Sequence, residues 1–365
     1  MEAFRILFDA LPDPRAQNAR HDLTEILLIS FAATLCGAET CVDIAQFAEA
    51  KEPTLRRFLE LRHGPPSHDT VSRVFRLLDP DAFEEAFRRF MAAFAARLQG
   101  FEGSVVAIDG KSLSAACKAG ARATPLHLVS AWAAQSRLVL GQRRAEGRRE
   151  ANAALELVAL LDLKGTVVTA DALHGTRAMS AAIRARGGEY ALALKGNRGP
   201  LFEAAKALIE AAAPEHEAVT EERSHGRREI RRAVVVAVPP DWAKRYGFAG
   251  LAAVARVEAV RAIDGPEERN TRYFVLSRVL DPAAALSIVR THWSIENSLH
   301  WVLDVVFAED AQRSRKDHAG ENLAILRRLA LNLLRTDPRK ASIRSKIKRA
   351  GWLDEYLLDL LSQMR

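Results

Sequence analysis

The chain has 365 residues, of which 48% are hydrophobic and 27% are charged, and its formal net charge is +7. This length and composition predict two or three folded domains and exclude an intrinsically disordered chain. The longest strongly apolar stretch, residues 26–36, is much shorter than the roughly 20 residues of a membrane span, so we expect a buried helix there and no membrane partner. The three cysteines form no C-x-x-C pair and the N-terminus lacks a signal-peptide pattern, which together predict a soluble, cytoplasmic protein.

The positive charge is concentrated in one part of the chain. Residues 1–100 carry 12 basic and 15 acidic side chains, a net −3, whereas residues 101–200 carry 14 and 8, a net +6. A further basic cluster, residues 335–349, holds seven basic residues and one acidic residue. Arginine dominates the basic residues and suits contacts with phosphate groups, although +7 is also ordinary for the surface of a soluble protein.

Residues 1–100 have the apolar spacing of helices. The predicted helices cover residues 23–37, 40–50, 54–62 and a segment capped by Ser67 or Asp69. Two interpretations are open, a plain helical bundle or a helix-turn-helix unit that contacts DNA through Arg73 and Arg76. The net negative charge of this part of the chain favours the bundle.

Short apolar runs typical of buried strands begin at residue 104. Three strands, a helix, a strand, a helix and a strand follow one another, an order that predicts an α/β domain. These elements are expected over residues 104–109, 125–134, 137–143, 150–161, 165–171, 177–186 and 189–195. Residues 213–280 contain three more strand-like runs and predict a β-rich insertion, after which helical spacing returns from Pro282.

Two acidic residues follow buried strands. Asp109 ends the first predicted strand and Asp171 ends the fourth. Ligands commonly bind where the carboxyl ends of strands meet the edge of an open α/β sheet, so two such strands side by side would bring both carboxylates to one divalent cation. Oxygen ligands suit Mg²⁺ or Mn²⁺. Each residue alone could equally be a loop acid or a helix cap.

A third metal ligand would have to come from the helical stretch after residue 291. His292, Glu296 and His300 are four residues apart and share one helical face, and the face with Trp293, Leu299, Val302 and Val306 is predicted to be core. The H-x3-E-x3-H pattern differs from the HExxH spacing of zinc helices, which disfavours zinc. The alternative third carboxylates are Asp304, Glu309 and Asp310.

Motifs along nearly the whole chain resemble the DDE transposases of bacterial insertion sequences, in the ISAs-type or H-repeat-associated family. The N-terminal part carries LPDPR, GPPSHDTVSRVFRLLDP and FEEAFRRF. The motifs that follow in the family's order are VVAIDGKSL, HLVSAWAAQSRLVLGQ, VVTADALH, YALALKGN, HWSIENSLHWVLDVVFAED and NLAILRRLALNLL. Each motif alone is a weak signal, but six in order at plausible spacing are a specific one.

The resemblance implies an α/β fold, α+β overall, with an RNase H-like catalytic core, a β-rich insertion and an N-terminal helical domain. The predicted divisions are an N-terminal helical domain 1–100, core parts 101–212 and 281–335, the insertion 213–280, and a basic helical tail 336–365. Asp109, Asp171 and Glu296 are the implied catalytic triad, which would hold two Mg²⁺ or Mn²⁺ ions. Side chains predicted to contact DNA phosphates are Lys111, His174, Lys195, His292 and His300.

The implied function is transposition of an insertion sequence: binding of terminal inverted repeats, metal-dependent cleavage of DNA, and transfer of a 3′-hydroxyl to target DNA. Pairing of two DNA ends implies a homodimer on DNA, and a bacterial protein of this kind would associate with the nucleoid when bound. Two alternatives remain. One is a domesticated relative that binds DNA without transposing it, and the other is an RNase H-like nuclease that recognises DNA structure.

Overall fold

The computed structural model describes residues 8, 10–97, 104–113, 125–196, 199–212, 217–224, 227–263 and 267–363. Of the three cysteines, Cys36 and Cys41 are free thiols, and Cys117 lies outside the described residues. Within the described part of the chain, no helix combines the length and apolar character that crossing a membrane would require.

The N-terminal part is helical, as predicted, except that the helix expected over residues 54–62 is a single turn ending at Leu55. Its helices are α1 (Leu23–Leu35), α2 (Cys41–Ala50), α3 (Glu52–Leu55), α4 (His68–Leu77) and α5 (Pro80–Arg97). Side-chain oxygens that accept backbone N–H groups fix where the helices begin: Asp22 caps α1, Thr40 caps α2, and Ser67 caps α4. Helix α1 is buried along its whole length, which confirms the buried helix expected from its apolar sequence.

One nine-stranded sheet forms the centre of the molecule, with the strand order β3-β2-β1-β4-β5-β9-β8-β7-β6. Its strands are β1 (Val105–Leu113), β2 (Leu126–Ala133), β3 (Leu138–Arg144), β4 (Val167–Ala170), β5 (Glu189–Leu194), β6 (Ala218–Ser224), β7 (Arg227–Ala237), β8 (Ala253–Ile263) and β9 (Glu268–Leu276). Strands β1, β4 and β5 are parallel, and the other pairings are antiparallel. The first five strands lie within residues 101–212, the first part of the predicted core.

Strands β6 to β9 continue that same sheet. The link is the antiparallel pairing of β9 with β5, in which Ala191 lies opposite Leu276. Strands β7, β8 and β9 were predicted from their apolar runs, whereas β6 was not, because its sequence AVTEERS is mostly polar and exposed. The division of the chain into separate domains stays a prediction.

Helices cover both faces of the sheet. One face packs against α6 (Glu150–Leu160), α7 (Arg177–Ala185), α8 (Gly199–Ala211) and the short α9 (Trp242–Tyr246). The opposite face packs against α10 (Pro282–His292) at β1, β4, β5 and β7–β9. Side chains alternate between the two faces along a strand. In β1 this places Val106 and Ile108 towards α6, and Val105 and Ala107 towards the other side.

A long buried helix joins the N-terminal helices to the sheet. Helix α12 (Ala319–Thr336) shares one hydrophobic core with α1, α4, α5 and β3. Asn332 pairs with the backbone of Val139 in β3, accepting from its N–H at 2.9 Å and donating to its carbonyl at 2.8 Å. The chain ends with the helices α13 (Ile343–Trp352) and α14 (Asp354–Ser362).

Candidate active site

The register of the parallel strands brings Asp109 beside Asp171. Ile108 lies opposite Ala170 in the last pair of the β1–β4 ladder, and each acid is the next residue of the chain after that pair. The prediction that Asp109 ends its strand is wrong, because β1 continues to Leu113 through its antiparallel pairing with β2. What ends at this point is the parallel pairing, and the two acids lie where the strands separate.

Glu296 reaches the same place from the opposite helical layer. After α10 the chain widens into a π turn, Glu296–His300, and continues as α11 (Trp301–Val305). Asp109, Glu296 and His300 each offer one possible ligand atom, and these three atoms lie within 4.8 Å of one another. His300 Nδ1 is 3.3 Å from Glu296 Oε2 and 3.8 Å from Asp109 Oδ2. Single π turns inside helices often occur at functional sites, and this one brings a carboxylate and an imidazole over β1.

The electrostatics of this cluster favour a cation. The Asp109 side chain is only 18% exposed. Burial, reinforced by the neighbouring charges of Glu296 and Asp171, raises the pKa of Asp109 to about 7. Burial also lowers the pKa of His300, although Glu296 opposes that effect. The carboxylates therefore repel one another, and a bound divalent ion would relieve that repulsion.

Asp171 faces the same cleft at a more exposed position. Its side chain is 44% exposed, and its Oδ1 accepts the backbone N–H groups of Leu173 at 2.9 Å and His174 at 3.3 Å. With Asp109 and Glu296 it lines a cleft of about 540 Å³. It is not one of the three residues whose ligand atoms converge, so the structure brings Asp109 and Glu296 together and leaves Asp171 beside them.

The alternative third acids lie elsewhere. Asp304 accepts a hydrogen bond from Lys111 Nζ at 2.5 Å. Glu309 is fully buried and pairs with Arg328 at 2.6 Å. Asp310 follows in the same 3-10 turn, Glu309–Ala311, and is not part of the convergent cluster.

The predicted phosphate-contacting side chains differ in their surroundings. Lys111 is buried between Asp304 and Glu309, and His174 is fully buried, so both have protein partners in place of open access to DNA. Lys195 follows β5 and is exposed at the cleft. His292 lines the cleft, and its Nδ1 lies 3.0 Å from Thr169 Oγ1. Burial lowers the pKa of His292 to about 4, so its ring is neutral at pH 7.

One expectation about the helical stretch is wrong. Trp293, predicted to be core, is 45% exposed, and the guanidinium of Arg272 lies 4.2 Å from its ring centre. The π turn at Glu296–His300 changes the helical phase, and of that face only Leu299 and Val302 are buried. The same turn joins Glu296 to His300 while His292 faces Thr169, so a zinc site of two histidines and one glutamate is not assembled.

Glu150 is the functional candidate that sequence reasoning missed. It lies in the first turn of α6, and its carboxylate contacts His127 Nε2 at 2.8 Å and His174 Nε2 at 2.9 Å. Hydrogen bonds from these two histidines lower the pKa of Glu150 to about 2 against the effect of burial. No local motif links residues 127, 150 and 174, because they come from a strand, a helix and a loop.

Comparisons with known proteins show the family to which the chain belongs. A model described as the transposase DDE domain matches residues 100–333, and one described as DDE_Tnp_1-associated matches residues 6–91. The chain belongs to the DDE transposase family. Three full-length relatives come from Escherichia coli: "Putative protein YbfL" (strain K12, 34% identical), "H repeat-associated putative transposase YhhI" (strain K12, 33%) and "Putative transposase YncI" (strain O157:H7, 31%). Each alignment covers 96% of this chain, and 96%, 96% and 92% of the respective relatives.

Membership in the DDE transposase family implies a divalent metal, and the side chains present fit one. Two carboxylates and one imidazole converge within 4.8 Å, and a third carboxylate lines the same cleft. Mostly oxygen ligands suit Mg²⁺ or Mn²⁺. Burial and the neighbouring acids raise the pKa of Asp109, and a bound cation would compensate the charge of these acids.

Proposed function

We propose that this chain is the transposase of a bacterial insertion sequence, which cleaves DNA at the ends of the element and joins the freed 3′-hydroxyl to target DNA. The observation that carries the proposal is the convergence of Asp109 and Glu296 beside Asp171, at the point where the parallel strands separate. Like-charged carboxylates held this close are costly unless they bind a cation.

In this proposal Asp109, Asp171 and Glu296 hold two Mg²⁺ or Mn²⁺ ions. When bound, such ions activate the attacking oxygen and stabilise the leaving oxygen of a phosphodiester. The three acids would hold these ions together, and Asp109 is the most enclosed of them. His300 orients Glu296, since its Nδ1 lies 3.3 Å from the glutamate Oε2.

The DNA would approach the cleft from its open side. Lys195 is exposed there and can contact a phosphate as a point charge. The net +6 of residues 101–200 and the basic cluster 335–349 supply attraction to the backbone that does not depend on base sequence. Recognition of the inverted repeats falls to other surfaces, and the pairing of two ends requires at least a homodimer on DNA. The site of action is the bacterial cytoplasm, on nucleoid DNA.

The test is a cleavage and joining assay with DNA that bears the ends of the element encoding this chain, in the presence of Mn²⁺. Wild-type protein should nick these ends and join them to a second DNA, and Asp109→Asn should do neither. Asp162→Asn, the same substitution at an exposed acid outside the cleft, is the matched control and should retain activity.

Other outcomes would replace the proposal. Binding of the ends without nicking would support a domesticated DNA-binding relative. Nicking of branched DNA without joining would support a structure-selective nuclease. Full activity in Glu296→Gln, compared with Glu156→Gln as its control, would mean that the third acid is a different one.

A further inference from the structure

A partly buried hydrogen-bonded network lies on the face of the sheet opposite to Glu296. Glu150 Oε2 contacts His127 Nε2 at 2.8 Å, and Glu150 Oε1 contacts His174 Nε2 at 2.9 Å. An ionised carboxylate can only accept hydrogen bonds, so both Nε2 atoms must donate. His127 Nδ1 lies 2.7 Å from Ser112 Oγ, which extends the network along β1.

The network lies directly against the backbone that follows Asp109. A Cβ atom added to Gly110 would lie 2.3 Å from Glu150 Oε1 and 2.6 Å from His127 Nε2. Real side chains never make contacts this short, so only glycine leaves room for the carboxylate here. Neighbouring residues of a strand face opposite sides of the sheet. The Asp109 side chain therefore points to Glu296, and the side of β1 at Gly110 that lacks a side chain faces Glu150.

The other end of the network reaches the loop that carries Asp171. The His174 ring is fully buried and held by Glu150. The backbone N–H groups of Leu173 and His174 donate to Asp171 Oδ1 at 2.9 and 3.3 Å. His174 thus contacts Glu150 through its ring and Asp171 through its backbone N–H.

We propose that Glu150 is a positioning residue for the metal site. By binding His127 of β2 and His174 of the Asp171 loop, it sets the separation of Asp109 and Asp171 from behind the sheet. This inference rests on the proposed function, because it assigns the network to the geometry of that metal site. Groups that orient metal ligands in this way typically change metal affinity 10–100-fold when they are removed.

Glu150→Gln tests the proposal with little change of shape. A glutamine oxygen accepts from one histidine, while its NH₂ group meets the second N–H donor, so one hydrogen bond is lost. Mn²⁺ binding is measured on the purified full chain by the loss of the free-ion EPR signal. We expect the Kd for Mn²⁺ to rise about tenfold or more. The control is Glu156→Gln, an exposed position on the same helix, which should bind Mn²⁺ as the wild type does.

The outcomes separate this proposal from the function on which it rests. If wild type binds no Mn²⁺ and cleaves no DNA, the metal-dependent function fails. If wild type binds and cleaves while Glu150→Gln has an unchanged Kd, only the positioning role is refuted. Saturating Mn²⁺ should restore most of the cleavage rate of Glu150→Gln, whereas failure of this rescue with an unchanged Kd would contradict the proposal.

A second variant covers the case in which Glu150→Gln does not fold. His127→Asn leaves Glu150 and its contact with His174 in place and removes one of the two donors. It should raise the Kd for Mn²⁺ by a smaller factor, about threefold, with a melting temperature close to that of the wild type. A Kd equal to that of the wild type in this folded variant would also refute the proposal.

Discussion

The two faces of the sheet at Asp109 hold acids of the same chemistry in opposite electrostatic states. Towards α10 and the π turn, burial and neighbouring carboxylates raise the pKa of Asp109 to about 7. Towards α6, hydrogen bonds from two histidines lower the pKa of Glu150 to about 2. The difference teaches that burial alone does not define a metal site. A half-buried acid that accepts hydrogen bonds from two donors is part of the scaffold, whereas acids without such donors are where we expect a cation to bind.

The buried pair between Glu309 and Arg328 is the strongest case of a compensated acid. Both side chains are fully buried. Burial acts to raise the pKa of Glu309, but the charges of Arg328 and Lys111 outweigh it and lower that pKa. We expect Glu309→Gln to lower the free energy of unfolding by about 3–5 kcal/mol, because Arg328 is left buried without its partner. Denaturant unfolding measures this.

The matched control for that prediction is Glu60→Gln. Glu60 forms an exposed ion pair with Arg62, and its loss should cost less than about 1 kcal/mol. A change of similar size in both variants would contradict the distinction between buried and exposed pairs.

Gly110→Ala should disrupt the hydrogen bonds of Glu150 without replacing Asp109, Asp171 or Glu296. The added methyl group would overlap Glu150 Oε1, so the carboxylate has to leave its histidines. We expect the Kd for Mn²⁺ to rise about tenfold, equivalent to about 1.4 kcal/mol. Titration calorimetry measures the affinity, and Gly64→Ala, a glycine with open space around it but a left-handed backbone, controls for a general loss of stability. An unchanged Kd for Mn²⁺ in Gly110→Ala would show that the Glu150 network does not affect the site at Asp109.

The raised pKa of Asp109 predicts that the stability of the fold depends on pH. Because the folded-state pKa of Asp109 lies above its ordinary value of 3.8, the native protein binds the extra proton between about pH 4 and pH 7. Its contribution to stability is complete below pH 4 and is lost as the pH rises through 7. In EDTA at pH 8, Asp109→Asn should therefore melt about 2 °C or more above the wild type, and the difference should vanish near pH 4.

Added Mn²⁺ should reverse that order at pH 8. The ion binds the ionised Asp109 of the wild type and raises its melting temperature, whereas the asparagine variant gains little. Melting curves that stay in the same order with and without Mn²⁺ would argue against a metal site at this face.

Two lysines near the site extend the comparison to DNA binding. Lys195 is exposed at the cleft, whereas Lys111 is buried between Asp304 and Glu309. Lys195→Gln should weaken binding of DNA about threefold and lower the slope of log K against log salt by about 1. Fluorescence anisotropy at several salt concentrations measures both quantities. An unchanged slope would exclude a phosphate contact by Lys195.

Sequence patterns predicted most of the sheet because its strands are short apolar runs. The apolar runs before Asp109 and Asp171 are such strands, and they pair in parallel. Strand β6 escaped prediction because its polar residues show no buried face, and it pairs only at the edge of the sheet. The exposure of Trp293 was missed for a different reason: a π turn changes the helical period, which spacing arguments assume to be constant.

The sequence by itself determined the two apolar strands that lead to Asp109 and Asp171, the cap of α4 at Ser67 and the family. These follow from local spacing and from motifs of a few neighbouring residues. Only the tertiary structure decided that Glu296, and not Asp304 or Glu309, meets Asp109, and that Glu150 joins His127 and His174 behind it. The physical reason is that an acid's role depends on which donors and charges surround it. Those partners come from segments far apart in the chain that only folding brings together.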